Sequence, residues 1–431
     1  MVLAGMLAAA VALRLLVGLL FHDSLAGLSN DAGSFDRIAR SLATGGGFRD
    51  PAFYGPADPF VARPPLTPFF IAGLYALFGV DPMIARIAFA LVGGLTCLAI
   101  YGLGRELLGE RVGLLAGGLA AIYPMFIVVS GLTLSDNLSV LLVTWAVLLL
   151  CRTRSSGRTR DAMGAGLVVG LAALNRPVAL VLAVVGVLVL TLGAPLPRRA
   201  RLQAASALVG LALLTVVPWT MRQSVERGEF IPITGYWAVF LGNLPATYQQ
   251  TSFASLATGQ PGSMVSPEVA EILVSYPAPV RRQLLRDHVF EYAIHHPWEM
   301  LQLLGLKLWL FWTTYPHPVS VLSWLGVSAL ALMGLAATWR RRSRLVVLYA
   351  AVGAFMLAHV LTFALPRHRL SIEGLLLVLA AAGLDWTVAH RWKFGLGRCF
   401  SVTAIFRSLG RRNLKNIASG ESEMIRKKPK N

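Results

Sequence analysis

Apolar stretches close to the length of a membrane-spanning helix alternate with short polar segments along most of this chain. A bilayer core about 30 Å thick needs ~20 apolar residues of helix to cross it, and a helix satisfies its own backbone hydrogen bonds there. The pattern predicts an all-α polytopic membrane protein with about ten spans, within a range of roughly nine to twelve. The expected spans cover residues 2–21, 82–104, 112–130, 136–151, 162–175, 177–193, 204–221, 319–338, 345–364 and 370–389.

Two longer segments interrupt this alternation, and both are expected on the outer face. The first, 22–81, ends in "RPPLTPFFIAGLYALFG", which starts at a proline pair and stops at Gly79, as expected of a short helix lying on the membrane surface. The second, 222–318, follows the seventh span. It contains the apolar run "EMLQLLGLKLWLFW", predicted as an interfacial helix anchored by tryptophans, with Lys307 reaching out from it.

Basic residues cluster in the short loops on one side of the predicted spans. Arginine-rich loops 105–111, 152–161, 194–203 and 339–344 follow the positive-inside pattern, so both termini are expected in the cytoplasm of a plasma (inner) membrane protein. Four parts are expected: a transmembrane module with a first outer loop (22–81) that holds candidate chemical groups, a large outer loop, C-terminal transmembrane helices, and a basic, disordered cytoplasmic tail. They cover residues 1–221, 222–318, 319–389 and 390–431.

Composition excludes two other classes of protein. With 56% hydrophobic and 14% charged residues, the chain cannot hide its apolar surface as a soluble protein would. The net charge of +18 lies in loops and tail rather than on one docking face, which argues against nucleic acid and favours membrane lipids as partners. The three cysteines show neither zinc-site nor disulfide spacing.

Two acids stand where predicted outer segments meet the membrane. Asp31, in "NDAGSFDRIARSLA", is either a helix cap or a chemical group, whereas Asp36 is expected to pair with Arg40 one helical turn later. Asp136, in "LTLSDNLSV", begins the fourth span. A carboxylate at membrane depth costs ~2.5–3.5 kcal/mol, so Asp136 is either an N-cap or a functional group.

Arginines on the predicted outer face run against the charge rule. Arg63 ("VARPPL"), Arg176 ("ALNRPVAL") and the group Arg367 to Arg369 ("ALPRHRL") could each snorkel to headgroups, but together they favour a shared anionic ligand. Guanidinium suits phosphate because it offers paired donors and a permanent charge. The histidines of "HHP" have no metal-ligand spacing and are expected to be surface or capping residues. A phosphate that leaves in the reaction would need charge stabilisation, from arginine or from a divalent cation.

The order of these motifs resembles a known family. "NDAGSFDRIARSLATGGGF", "RPPLTPFFIAGLYALFG", "SGLTLSDNLSV" and "LPRHRLSIEGLLLVLAAAGL" are similar to the GT-C glycosyltransferases that use polyprenyl-phosphate sugars. That group includes the protein mannosyltransferases and the aminoarabinose transferases of lipid A. The resemblance extends to about residue 389 and implies a GT-C fold.

The resemblance also implies roles for individual residues. Asp31 would act as general base or as the carboxylate that anchors substrate or metal, with Asp136 as a second catalytic acid. Transfer would be inverting, from a polyprenyl-phosphate sugar to a hydroxyl of a lipid, polysaccharide or protein. Phe35 stands where the family often has tyrosine. The expected substrate-binding residues are Arg63, Arg176, Asn243, Arg367 and Arg369.

Other functions remain open at this level. A transporter or flippase of lipid-linked sugars would need broken helices around a midplane site. An O-antigen ligase or polymerase would use a diphosphate lipid, and a membrane scaffold would need no Asp31 chemistry. The sequence specifies neither the sugar nor the acceptor.

Overall fold

The computed structural model describes residues 1–21, 30–50, 63–228, 230–234, 239–240, 242–244, 272, 278–314 and 317–391, and this part of the chain is helical without strands. Its α-helices are α1 (Val2–Leu20), α2 (Asn30–Ala43), α3 (Leu66–Phe78), α4 (Pro82–Leu108), α5 (Glu110–Ile122), α6 (Pro124–Ser130), α7 (Ser135–Ser156), α8 (Thr159–Asn175), α9 (Val181–Gly193), α10 (Arg198–Arg227), α11 (Ala278–His295), α12 (Pro297–Trp312), α13 (Pro318–Thr338), α14 (Arg342–Leu361) and α15 (Leu370–Arg391). Short 3₁₀-helices cover Pro177–Leu180, Trp339–Arg341 and Pro366–Arg369. The expected tail 390–431 lies almost wholly outside the described residues.

Within the described ranges, six helical stretches are long and apolar enough to cross a membrane. A seventh is added if the bent pair α5 and α6 counts as one span. The apolar helices Leu66–Phe78 and Pro177–Gly193 are shorter than a full span. The all-α membrane architecture is confirmed, whereas the number of about ten crossings stays a prediction.

The 44-residue helical stretch Pro318–Leu361 folds back on itself. Trp312 shows this, because its indole donates to the sulfur of Met356 near the end of α14 (3.3 Å), while its carbonyl accepts from Trp324 near the start of α13 (3.0 Å). One residue therefore touches both ends of the stretch. The two helices run antiparallel, with the arginine-rich turn at the far end.

The single span expected over 112–130 is broken, which corrects the sequence-based prediction. A bend of 55° separates α5 from α6 at Tyr123, because Pro124 has no N–H to continue the helix. The break leaves carbonyls in the last turn of α5 without helical partners. Arg14 of α1 donates to two of them, Ala120 (2.9 Å) and Ala121 (3.0 Å), which explains a buried arginine inside the first apolar stretch.

The last helix lies at the centre of the bundle. Every residue from Leu370 to Gly383 is buried, and α15 packs against α4, α5, α7 and α13. Glycines allow backbone contact: a Cβ built on Gly334 of α13 would lie 1.8 Å from the carbonyl oxygen of Leu379. Small residues permit such close approach in membranes. The central position of α15 carries the preceding segment Pro366–Arg369 to one end of the bundle.

Candidate functional site

Asp31 binds two arginines from distant parts of the chain. It lies in the first turn of α2 and is only 6% exposed. One carboxylate oxygen pairs with Arg63, which precedes α3, at 2.7 Å. The other accepts a hydrogen bond from Arg367, in the turn before α15. The acid is therefore engaged on both oxygens by permanent cations.

A second buried ion pair lies beside the first. Asp136, 1% exposed, pairs with Arg176 at 2.7 Å, and Arg176 is close enough to Asp31 and Arg367 to interact with both electrostatically. Helix α7 begins at Ser135 after Leu134 as N-cap, so Asp136 is not the capping residue. We call these five residues the charged cluster: Asp31, Arg63, Asp136, Arg176 and Arg367. Three arginines against two aspartates give it a net charge of +1.

Buried hydrogen bonds fix the segments that carry the charged cluster. The amide of Asn175 accepts from Thr67 at the start of α3 (2.6 Å) and donates to the carbonyl of Ser135 at the start of α7 (2.8 Å). Thr133 donates to the carbonyl of Ala32 in α2 (3.0 Å). These bonds connect the segments that carry Asp31, Arg63, Asp136 and Arg176 to one another. In the sequence, these bonds are indicated only by polar residues that stand beside apolar runs.

The arginines determine the protonation of Asp31. Burial alone raises the pKa of this carboxyl, but the charges of Arg367 and Arg63 outweigh burial, so its pKa lies below the ordinary value. Asp31 is therefore ionised at neutral pH. While both arginines stay in contact, it is a weak base.

Two histidines extend the cluster on one side. The rings of His359 and His368 stack at 4.7 Å, and each donates through Nδ1 to the carbonyl of Phe363. Both interact electrostatically with Arg176. His368 belongs to the basic group Arg367 to Arg369 expected at this position. His359 was not predicted, because it stands alone in an apolar span.

The structure places Arg369 in a different network from Arg367. Its guanidinium binds Glu373 (2.9 Å) and the carbonyls of Phe311 (2.9 Å) and Thr313 (2.5 Å) at the end of α12, and stacks over Trp324. These contacts satisfy the C-terminal carbonyls of α12. A substrate contact by Arg369 stays a prediction that this geometry does not support.

Asn243 also lies in a separate network. Its side-chain oxygen accepts from Lys307 (2.7 Å), and its side-chain nitrogen donates to the carbonyl of Leu361 (3.0 Å). The expectation that Lys307 reaches out from α12 is wrong: the residue is fully buried and donates also to Thr362 (3.0 Å). These two oxygen atoms accept the hydrogen bonds that the ammonium group of Lys307 would otherwise make to water. Asn243 stays a predicted substrate contact.

Other expectations concern α2. The Asp36–Arg40 pair is confirmed at 2.6 Å, and Asp36 also accepts from Tyr75. Phe35 lies under the guanidinium of Arg63, 5.6 Å from the ring centre. Asp50, which no sequence motif singles out, is buried and accepts hydrogen bonds from Ser34 and Arg37. Across the described residues, no group of three or more His, Cys, Asp or Glu could hold a metal ion.

Comparison with known proteins agrees with this architecture. Residues 62–221 match the family model described as dolichyl-phosphate-mannose-protein mannosyltransferase. This range contains Arg63, Asp136 and Arg176. No curated protein sequence matches the chain.

Several solved membrane proteins share the fold at low sequence identity. The oligosaccharyltransferase AglB from Archaeoglobus fulgidus, in complex with an inhibitory peptide and a dolichol-phosphate, superposes with a TM-score of 0.59 at 15% identity, covering 92% of this chain and 51% of its own. Another structure of the Archaeoglobus fulgidus oligosaccharyltransferase, with zinc and sulfate, gives 0.58 at 16% identity, covering 95% and 51%. ArnT from Cupriavidus metallidurans, bound to undecaprenyl phosphate, gives 0.52 at 18% identity, covering 87% and 60%.

These likenesses define the fold of the protein. The chain is a membrane protein with the GT-C fold, as the order of its motifs implies. It spans about half the length of the archaeal oligosaccharyltransferase that it resembles.

Proposed function

We propose that the chain is a membrane glycosyltransferase that moves a sugar from a polyprenyl-phosphate donor to an acceptor hydroxyl on the extracytoplasmic face. The charged cluster carries this proposal: a buried carboxylate and three arginines meet at one end of a membrane bundle. The mannosyltransferase model over residues 62–221 and the phosphate lipids bound by AglB and ArnT support it.

The arginines would bind the phosphate of the lipid donor. The charged cluster has a net charge of +1, so a phosphodiester with one negative charge neutralises it. Arg63 and Arg367 pair with different carboxylate oxygens of Asp31, and Arg176 is close enough to Arg367 and Asp31 to interact with both electrostatically. Guanidinium donors in a water-poor site stabilise the charge that develops on the leaving phosphate.

Asp31 would orient the acceptor and receive its proton. The acceptor oxygen attacks the anomeric carbon and forms the new glycosidic bond, while the bond from that carbon to the phosphate oxygen breaks. The electron pair leaves with the polyprenyl phosphate, the hydroxyl proton passes to Asp31, and the configuration inverts. Because a bound phosphate competes for Arg63 and Arg367, donor binding raises the pKa of Asp31 and makes it a better base.

A divalent cation does not fit the site in this arrangement. The carboxylates of Asp31 and Asp136 would be its natural ligands, but each is paired with a guanidinium. No step of the mechanism therefore runs through a metal ion.

A transporter of lipid-linked sugars is the alternative from another class. The bend between α5 and α6 is the kind of broken helix that such a site uses. However, the carbonyls freed there are satisfied by Arg14, so the break is occupied by the protein itself. The charged cluster is carried by helix ends instead: Asp31 lies in the first turn of α2, Asp136 in the first turn of α7, and Arg176 follows the last residue of α8.

Mass spectrometry of envelope glycolipids and glycoproteins tests the proposal. Deleting the protein should remove at least one glycan, and the wild type should restore it. Asp31→Asn should fail to restore it, although Asp36→Asn, the matched change on the same helix, should succeed. An unchanged glycan inventory on deletion, or restoration by a stably expressed Asp31→Asn variant, would refute transferase activity. If the missing glycan then accumulates as an intact lipid-linked sugar on the cytoplasmic side, the protein is a transporter.

A further inference from the structure

A second concave region lies between the outward faces of α4 and α7. It is a groove with a volume of about 640 Å³, within the ~300–1,000 Å³ typical of ligand pockets. One part of its wall is apolar and exposed, formed by Leu95, Leu98 and Trp145. The other part is polar, formed by Tyr101, Arg105, Glu106 and Arg152, so the groove holds two arginines against one acid.

The groove lies at the opposite end of the bundle from the charged cluster. Asp136 and Arg152 belong to the same helix, 16 residues apart, which corresponds to about 24 Å along its axis. Arg105 likewise lies in the last turn of α4. The groove is therefore separate from the proposed sugar-transfer site and faces the other leaflet.

The polarity of the groove changes along its length. Its apolar wall belongs to the middle of two membrane-crossing helices, where exposed leucine and tryptophan side chains face lipid chains. Its arginines lie where both helices end, at the depth expected for headgroups. An apolar wall that ends in guanidinium groups matches a phospholipid. The acyl chain would contact the apolar wall, and the phosphate would contact the arginines.

The arginines are available to an incoming anion. Arg105 pairs with Glu110 (2.9 Å) and Arg152 with Glu106 (3.5 Å), but both arginines and Glu110 are exposed and such surface pairs are weak. The segment that follows Arg152 adds Arg154, Arg158 and Arg160 against one acid, Asp161, which lies 3.9 Å from Arg160. This excess of positive charge favours an anionic ligand over a zwitterionic one.

We propose that this groove binds an anionic phospholipid of the leaflet opposite to the charged cluster. Its phosphate contacts Arg105 and Arg152, and an acyl chain lies along Leu95, Leu98 and Trp145. The site does not depend on the proposed transferase activity, since it shares no residue with the charged cluster.

Native mass spectrometry of the full chain in detergent, with phosphatidylglycerol or phosphatidylcholine added, tests the site. The wild type should retain phosphatidylglycerol at least tenfold better than phosphatidylcholine. The double variant Arg105→Gln/Arg152→Gln should lose this preference. The matched control Arg342→Gln/Arg344→Gln removes the same charge at the same end of the bundle, outside the groove, and should keep it.

A charge-neutral variant separates the groove from general electrostatics. Gly102 lines the groove, and a Cβ there would meet only the flexible end of Leu148 at 3.2 Å, so Gly102→Leu fills the space without changing charge. It should reduce phosphatidylglycerol retention as the double arginine variant does. Equal retention of both lipids by the wild type would overturn the proposal, as would equal loss in the Arg342/Arg344 control. Unchanged retention in stably folded Gly102→Leu would overturn it as well.

Discussion

Arg367 donates a hydrogen bond to Asp31 across 336 positions of sequence. Helix α2 and the turn Pro366–Arg369 before α15 are therefore in direct contact. Since Arg63 occupies the other oxygen of Asp31, the charged cluster forms only when α15 has packed into the centre of the bundle. The candidate site is thus a consequence of completed folding.

Neutralising Arg63 should weaken binding of a phosphate lipid. Arg63→Gln removes one of the two cations on Asp31 and reduces the net charge of the cluster from +1 to zero, so we expect at least a tenfold weaker affinity for undecaprenyl phosphate, measured by ligand-induced thermal stabilisation. Arg40→Gln, on the half-buried Asp36 pair outside the charged cluster, is the control and should bind normally. Equal affinity in both variants would remove Arg63 from the site.

The pH profile of transfer should depend on Arg367. The pKa of Asp31 lies below its ordinary value of 3.8, so kcat/KM should be flat between about pH 5 and 7, and fall only as Asp31 is protonated at lower pH. Arg367→Gln removes the largest charge contribution that opposes burial, which raises the pKa of Asp31 and moves the acid limb to higher pH. Arg40→Gln should leave the acid limb of the kcat/KM profile at the pH of the wild type. If the limb does not move in Arg367→Gln, Asp31 is not the titrating group.

The Asp136–Arg176 pair should be strongly coupled in stability. Removing one partner of a buried ion pair leaves an uncompensated charge and costs about 3–5 kcal/mol. Asp136→Asn and Arg176→Gln should each destabilise the protein to this extent, and the double variant should lose much less than their sum, in denaturant unfolding in detergent. The exposed Arg222–Glu226 pair provides the control, where Glu226→Gln should cost about 0–1 kcal/mol. Additive losses in the buried pair would contradict the contact.

Close packing of α13 against α15 should depend on Gly334. A Cβ at this position would collide with the backbone of Leu379, so Gly334→Ala must push the helices apart and should cost about 1–3 kcal/mol. Gly326→Ala on the same helix meets nothing within 4 Å and should be neutral or slightly stabilising, since alanine favours helices. Thermal unfolding followed by size-exclusion chromatography compares the two. Equal melting temperatures would show that the helices are not in backbone contact.

Local sequence determined most of the helices. The first apolar stretch was expected over residues 2–21 and forms α1 (Val2–Leu20), and the Asp36–Arg40 pair follows from their spacing alone. Periodicity and charge also assigned Asp31, Arg63, Asp136, Arg176 and Arg367 to one face of the membrane. These properties depend on neighbours within one or two helical turns, which the sequence contains directly.

Only the tertiary structure decided which of these residues meet. Arg367 and Arg369 are two positions apart, but a 3₁₀ turn has about three residues, so their side chains leave on different sides: one reaches Asp31, and the other reaches Glu373 and the end of α12. In the same way, Lys307 turns inward because Asn243 and Thr362 supply acceptors, and Arg14 is buried because α5 ends beside it. Such partners are brought together by packing between distant segments, and the pattern along a single helix does not specify them.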